Sequence, residues 1–225
     1  MSATIAMVLF EDFEPLDVVG PHSLFRSVPG LHVETVARRR GAVAGSGGIS
    51  LDATASFDES RDPDVLFVPG GAGIVAALAD RELLAYLADR GGRAKYVTSV
   101  CTGSLILGAA GLLRGYRATT HWRSLDLLAP LGAEPRGERV VRDRNRITGG
   151  GVTAGLDFGL VLVAELCGEA AAQRAQLELE YDPHPPYAAG TPDAAPLEIV
   201  DAVVAATASR QKHRAELLEP FRASS

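Results

Sequence analysis

The stretch from Lys95 to Leu107, K-Y-V-T-S-V-C-T-G-S-L-I-L, constrains this chain more than any other. A β-rich run (Tyr96, Val97, Val100) arrives at Cys101, passes Gly103 and leaves as an apolar helical pattern. A strand that turns sharply into a helix exposes its turn residue at the carboxyl edge of a sheet. The first free N–H groups of the helix then point at that residue, which for a cysteine favours the thiolate. Ser99, Thr102, Gly103 and Ser104 are small enough to permit the bend and leave the sulfur reachable. The pattern is that of a nucleophile elbow with Cys in the place of Ser. A lone cysteine is more often plain core packing, but the strand–Cys–Gly–helix context favours a reactive one.

Strand and helix signals alternate along the rest of the chain. Ile5 to Phe10 is a continuous apolar run, as in a strand covered on both faces. An acidic loop and Leu16–Pro21 lead to a helical stretch from His22 to Ser27. Leu31 to Ala37 reads as a second strand, and the glycine-rich Gly41 to Gly48 as a turn region without the ending of a phosphate loop. Asp64 to Val68 is a third core strand that ends in Pro69-Gly70-Gly71. Helical periodicity follows over Ile74–Leu78 and Arg81–Asp89. Beyond the elbow, Glu138–Arg142 and Arg146–Thr148 form an expected β-pair. Gly149-Gly150-Gly151 opens an apolar helix over Val152–Cys167, and Glu169–Leu179 is another. The proline-rich Tyr181 to Pro192 is extended surface chain. A final helix runs from about Pro196 to Leu218. Its Lys212, His213 and Arg214 read as solvated charge.

Alternation of this kind implies an α/β fold, a mostly parallel sheet between two layers of helices. No internal repeat or linker divides residues 1–225, so one domain is expected, with the last helix as an extension. The 225 residues suffice for a large core. A net charge of -6 gives no support for nucleic-acid binding. Two cysteines without framework spacing suggest a reducing compartment. Met1–Phe10 lacks a basic leader and cleavage site, and no run reaches a membrane span, so a cytoplasmic protein is expected. No His/Cys cluster has ligand spacing, and no metal or cofactor is expected.

Three glycine-marked strand ends gather at the sheet's carboxyl edge, where ligands bind in such folds: Gly70-Gly71, Cys101-Thr102-Gly103 and Gly149-Gly150-Gly151. The N–H groups of Gly71 and Thr102 are candidates to hold an anion beside Cys101, with Gly150 and Gly151 as backbone support. His121 is a candidate partner for the thiol, although it reads equally as a structural hydrogen-bonding histidine. Trp122 and Phe13 are candidates for an apolar substrate wall or simply for core. Cys167 reads as inert packing.

P-G-G at 69–71, S-V-C-T-G at 99–103, A-T-T-H-W at 118–122 and T-G-G-G-V-T-A-G at 148–155 together resemble the DJ-1/PfpI superfamily. L-D-V-V-G-P-H, E-R-V-V-R-D and Q-L-E-L-E-Y-D-P-H-P-P extend the likeness over Ile5 to about Arg214, towards the isocyanide hydratases of that superfamily. The resemblance implies a flavodoxin-like sandwich, a homodimer and Cys101 as nucleophile. It maps the acidic partner to Asp17, which by its position alone also suits a helix N-cap. Thr102 stands where many superfamily members carry His, which weakens a protease or deglycase assignment. The implied activity is hydration of an isocyanide to an N-substituted formamide. It needs a soft nucleophile, a carboxyl group and an apolar pocket, without a cofactor. Forming the intermediate should disturb the helix start at Val152 if Gly150 and Gly151 lie against Cys101.

Two other classes fit parts of the pattern. The A-T-T-H-W motif also occurs in the sensing module of AraC-type regulators, but here a single polar helix follows rather than a basic DNA-binding region. Glyoxalase-like, deglycase-like or redox-sensing thiol proteins share the scaffold.

Overall fold

The computed structural model describes residues 2–222. In chain order the elements are β1 (Ala3–Val8), α1 (Pro15–Arg26), β2 (Leu31–Ala37), β3 (Gly41–Ala44), β4 (Ser50–Ala53), β5 (Ala55–Ser56) and β6 (Val65–Val68). Next come α2 (Ile74–Ala79), α3 (Arg81–Arg93), β7 (Tyr96–Val100), α4 (Gly103–Ala109), β8 (Arg117–Ala118) and β9 (Glu134–Pro135). The chain continues with β10 (Val140–Asp143), β11 (Arg146–Gly149), α5 (Ala154–Cys167), α6 (Glu169–Glu178) and α7 (Leu197–Arg222).

The main sheet has the order β10-β11-β7-β6-β1-β2-β5. All its pairs are parallel except β10 with β11 at one edge. The run β2-β1-β6-β7-β11 is the flavodoxin-like order, with its switch point between β1 and β6. Strand side chains alternate between two cores. Ala6, Val8, Leu66 and Val68 face one cluster with α2, α3 and α4, and Ile5, Met7, Val65 and Phe67 face the other with α1 and α5. Each face is therefore covered by helices, which is why these strands are apolar without interruption. The fold is a three-layer α/β sandwich.

Three boundaries differ from those expected. Helix α1 begins at Pro15 rather than His22, with the Glu14 carboxylate accepting from Leu16 N–H. Proline suits a first helical position because that N–H has no partner in any case. The segment read as a turn over 41–48 contains β3, which pairs antiparallel with β4. Helix α5 begins at Ala154, because Val152 and Thr153 lie in a turn closed by Ala154 N–H to Gly151 C=O at 2.7 Å. Val152 is not helical. No helix among the described residues is long and apolar enough to cross a membrane.

Candidate active site

Cys101 leaves β7 with φ at +55°, a left-handed conformation that is costly for a residue with a Cβ. The surroundings over-determine it. Its N–H donates to the carbonyls of Gly149 (3.1 Å) and Gly150 (2.7 Å), and its carbonyl accepts from Thr120 Oγ1 at 2.7 Å. Gly103 admits the turn, since a Cβ there would stand 2.2 Å from the Val68 carbonyl oxygen. Helix α4 starts immediately beyond, with Thr102 at its N-cap position.

Asp17 comes from the first turn of α1 but does not cap it. Its carboxylate points inward and accepts Gly70 N–H at 2.7 Å, joining α1 to the end of β6. Asp17 is fully buried, and its other oxygen, Oδ1, has no hydrogen-bond partner among the described residues. Burial drives its pKa up to about 8, against the Gly70 hydrogen bond. The carboxyl group is thus largely protonated at neutral pH.

Burial, reinforced by the charge of Asp17, pushes the Cys101 thiol up to about 12. The N–H and hydroxyl of Thr102 and the charge of Arg214 pull the other way. The Thr102 N–H at the start of α4 does favour the thiolate, as the sequence suggested, and burial of the sulfur outweighs it.

Of the glycines, Gly71 acts differently from its sequence reading. Gly71 N–H donates to Thr102 Oγ1 at 3.3 Å, so the threonine hydroxyl stands between it and the sulfur. Gly150 N–H donates to Arg139 C=O at 2.8 Å. Its carbonyl, rather than its N–H, meets Cys101, and the Gly151 carbonyl closes the turn before α5. Gly150 thus presents no free amide to an anion, and the Gly151 carbonyl supports the backbone.

Cys101 and Thr102 open into a cavity of about 360 Å³ that also takes in Gly71, Val152, His121 and Arg214. Half-buried His121 accepts Arg123 N–H on Nδ1 at 3.3 Å and so caps the 3-10 turn Trp122–Leu127. Burial and the charges of Arg214, Arg123 and Arg210 lower its pKa and keep the ring neutral. No hydrogen bond joins His121 to Cys101 among the described residues. Neither Phe13 nor Trp122 lines the cavity: Phe13 is core, and Trp122 carries the Arg123 guanidinium 5.4 Å from its ring. Cys167 lies at the end of α5, partly buried and away from this cavity.

Arg214 corrects the reading of Lys212–Arg214 as solvated charge. It is only 8% exposed, and its Nη1 donates to Ser124 Oγ and Gln211 Oε1 at 3.2 and 2.8 Å. Thr207 and Gln211 face the same way, toward Arg123 and Ser124. Helix α7 is thus a wall of the cavity. No group of three or more His, Cys, Asp or Glu side chains among the described residues is arranged to hold a metal ion.

The DJ-1/PfpI family model matches residues 3–165. The chain belongs to the DJ-1/PfpI family. Over 219 residues it is 47% identical to isonitrile hydratase of Pseudomonas putida, covering 97% of this chain and 96% of that one. A ThiJ/PfpI family protein from Pseudomonas syringae superposes with a TM-score of 0.95 at 50% identity, over 97% of this chain and 91% of the other. The HTH-type transcriptional regulator GbdR of Pseudomonas aeruginosa is 35% identical over 122 residues, which are 52% of this chain and 32% of the regulator.

For this DJ-1/PfpI protein the sequence exposed the elbow and missed the wall. Ser124, Gln211 and Arg214 stand on no motif. A signal was nonetheless present, because Thr207, Gln211, Arg214 and Leu218 recur at three- and four-residue spacing along one helical face.

Proposed function

We propose that the protein hydrates isocyanides, R–NC, to N-substituted formamides, R–NH–CHO, with Cys101 as nucleophile. Support comes from the near full-length likeness to an isonitrile hydratase. The observation that carries the chemistry is the buried, protonated Asp17, whose Oδ1 has no other partner, in electrostatic reach of a thiol in an elbow.

In this reading the thiol adds across the terminal carbon of the substrate. The sulfur bonds to that carbon, Asp17 delivers a proton to it, and the thiol proton passes to Asp17. The product of this step is a thioimidate, R–N=CH–S–Cys101. Water, deprotonated through Asp17, then adds to the same carbon as the nitrogen gains a proton. The C–S bond breaks, the sulfur regains its proton and the formamide leaves. Thr102, through its N–H and hydroxyl, steadies the sulfur while it is charged. Neutral His121 takes no proton in this sequence, and Val152 shapes the cavity. These steps draw on no cofactor. A homodimer in the cytoplasm completes the proposal, supported by two free thiols and by an exposed apolar segment described below.

Product analysis with purified protein and an aryl isocyanide tests the reading. Native protein is expected to form the formamide, Cys101→Ala to form none, and Asp17→Asn to be slower by about 10²-fold or more. Absence of formamide from native protein, with turnover of methylglyoxal in its place, overturns the proposal in favour of a glyoxalase-like thiol enzyme.

A further inference from the structure

The cavity around Cys101 has the mostly apolar lining expected of it, and it also carries cations. Arg123, Arg210 and Arg214 line it, against Glu14 as its only acidic side chain among the described residues. Among the described residues none of these arginines has a carboxylate within ion-pair distance. Arg123 is held by Thr207 and stacked on Trp122. Arg214 is buried, with its Nε unpartnered. Arg210 lies one turn earlier on α7, exposed, and its like charge acts against Arg214.

A buried guanidinium without a counter-charge costs the fold free energy, and a second cation beside it adds to that cost. An anionic ligand would relieve both. A single transient charge on sulfur accounts for Arg214 but not for Arg210, which stands further out along the cavity wall. Guanidinium groups match planar carboxylates in bidentate fashion, whereas a neutral substrate offers them no counter-charge.

We propose that Arg210 and Arg214 form an anion subsite, and that the substrate is an isocyanide bearing a carboxylate a few atoms from the carbon Cys101 attacks. The isocyanide end of this proposal rests on the hydratase reading; the anion end does not.

Two alkylating agents separate the two ends. Iodoacetate and iodoacetamide share size and leaving group and differ in charge, so their rate ratio at one thiol cancels the thiol's own ionisation. The ratio at Cys101, located by peptide mass spectrometry, is expected to exceed that of a free thiol by about tenfold or more, the scale of one charge-assisted hydrogen bond. Arg210→Gln and high salt should each lower it, and Arg214→Lys should give an intermediate value. A ratio equal to that of a free thiol and unmoved by Arg210→Gln overturns the subsite. In turnover, 4-isocyanobenzoate should exceed its methyl ester in kcat/KM by a similar factor, again dependent on Arg210. Equal turnover of the two sinks the subsite and leaves the hydratase reading intact. A preference for iodoacetate with neither isocyanide consumed sinks the hydratase reading and leaves the subsite.

Discussion

At Cys101 the backbone is held where only glycine is at ease. Removing the side chain beyond Cβ leaves that cost in place, whereas removing Cβ relieves it. Cys101→Gly is therefore expected to be more stable than Cys101→Ala by about 1 kcal/mol, the reverse of the usual order, as denaturant midpoints will show. Asp17 carries a second expectation at this scale. Its pKa is raised from 3.8 in the unfolded chain to about 8 in the folded one. Below pH 4 both states hold the proton and its contribution to stability is fully present. As pH rises toward 8 the unfolded chain ionises first, and stability falls by up to about 1.4 kcal/mol per pH unit. Urea midpoints from pH 4.5 to 8 should therefore fall more steeply for native protein than for Asp17→Asn. Cys101 was legible in the sequence because strand, cysteine and glycine are contiguous. The inward turn of Asp17 was legible only through the family likeness and not from its local sequence, because it depends on Gly70, a partner fifty-three positions away.

Between the elements, the elbow is tied to the approach to α5 through one bifurcated contact, Cys101 N–H on the carbonyls of Gly149 and Gly150. Adding a group to the sulfur changes the volume within the same turn. We expect structures of free and S-alkylated protein to differ over residues 149–153 and to coincide across β6 and β1. Identical structures throughout would detach that turn from the chemistry. Elements whose burial is uniform were legible: β2 was found at its expected bounds, and β6 lies within one residue of them. Elements set by partners were not. Nothing local says that Gly41–Ala44 pairs with Ser50–Ala53, and the two prolines of α1 conceal a helix that tolerates one at its first position and one at Pro21.

Across the whole molecule, six of the nine exposed large hydrophobic side chains among the described residues fall between Leu177 and Val203: Leu177, Leu179, Tyr187, Leu197, Ile199 and Val203. An exposed apolar segment of this kind is where an interface is expected. We expect sedimentation to show a dimer, and paired charges at Leu177 and Ile199 (Leu177→Glu, Ile199→Glu) to yield a monomer. Val203 also lines the cavity, so the monomer should show altered access to Cys101. The alternation of strands and helices made the sandwich legible. How α7 lies across it was not, since Thr207, Gln211 and Arg214 make the part of its inward face that lines the cavity polar, like an exposed one.

The family pattern runs over residues 3–165, and Arg210, Gln211 and Arg214 lie beyond it on α7. On the proposed reading, the elbow that carries the sulfur and the cations that would meet the rest of the substrate belong to different lengths of chain. Exchanging α7 would re-address the site and, because the charge of Arg214 acts on Cys101, would also reset the thiol, so divergence among relatives and the construction of chimaeras must change both together.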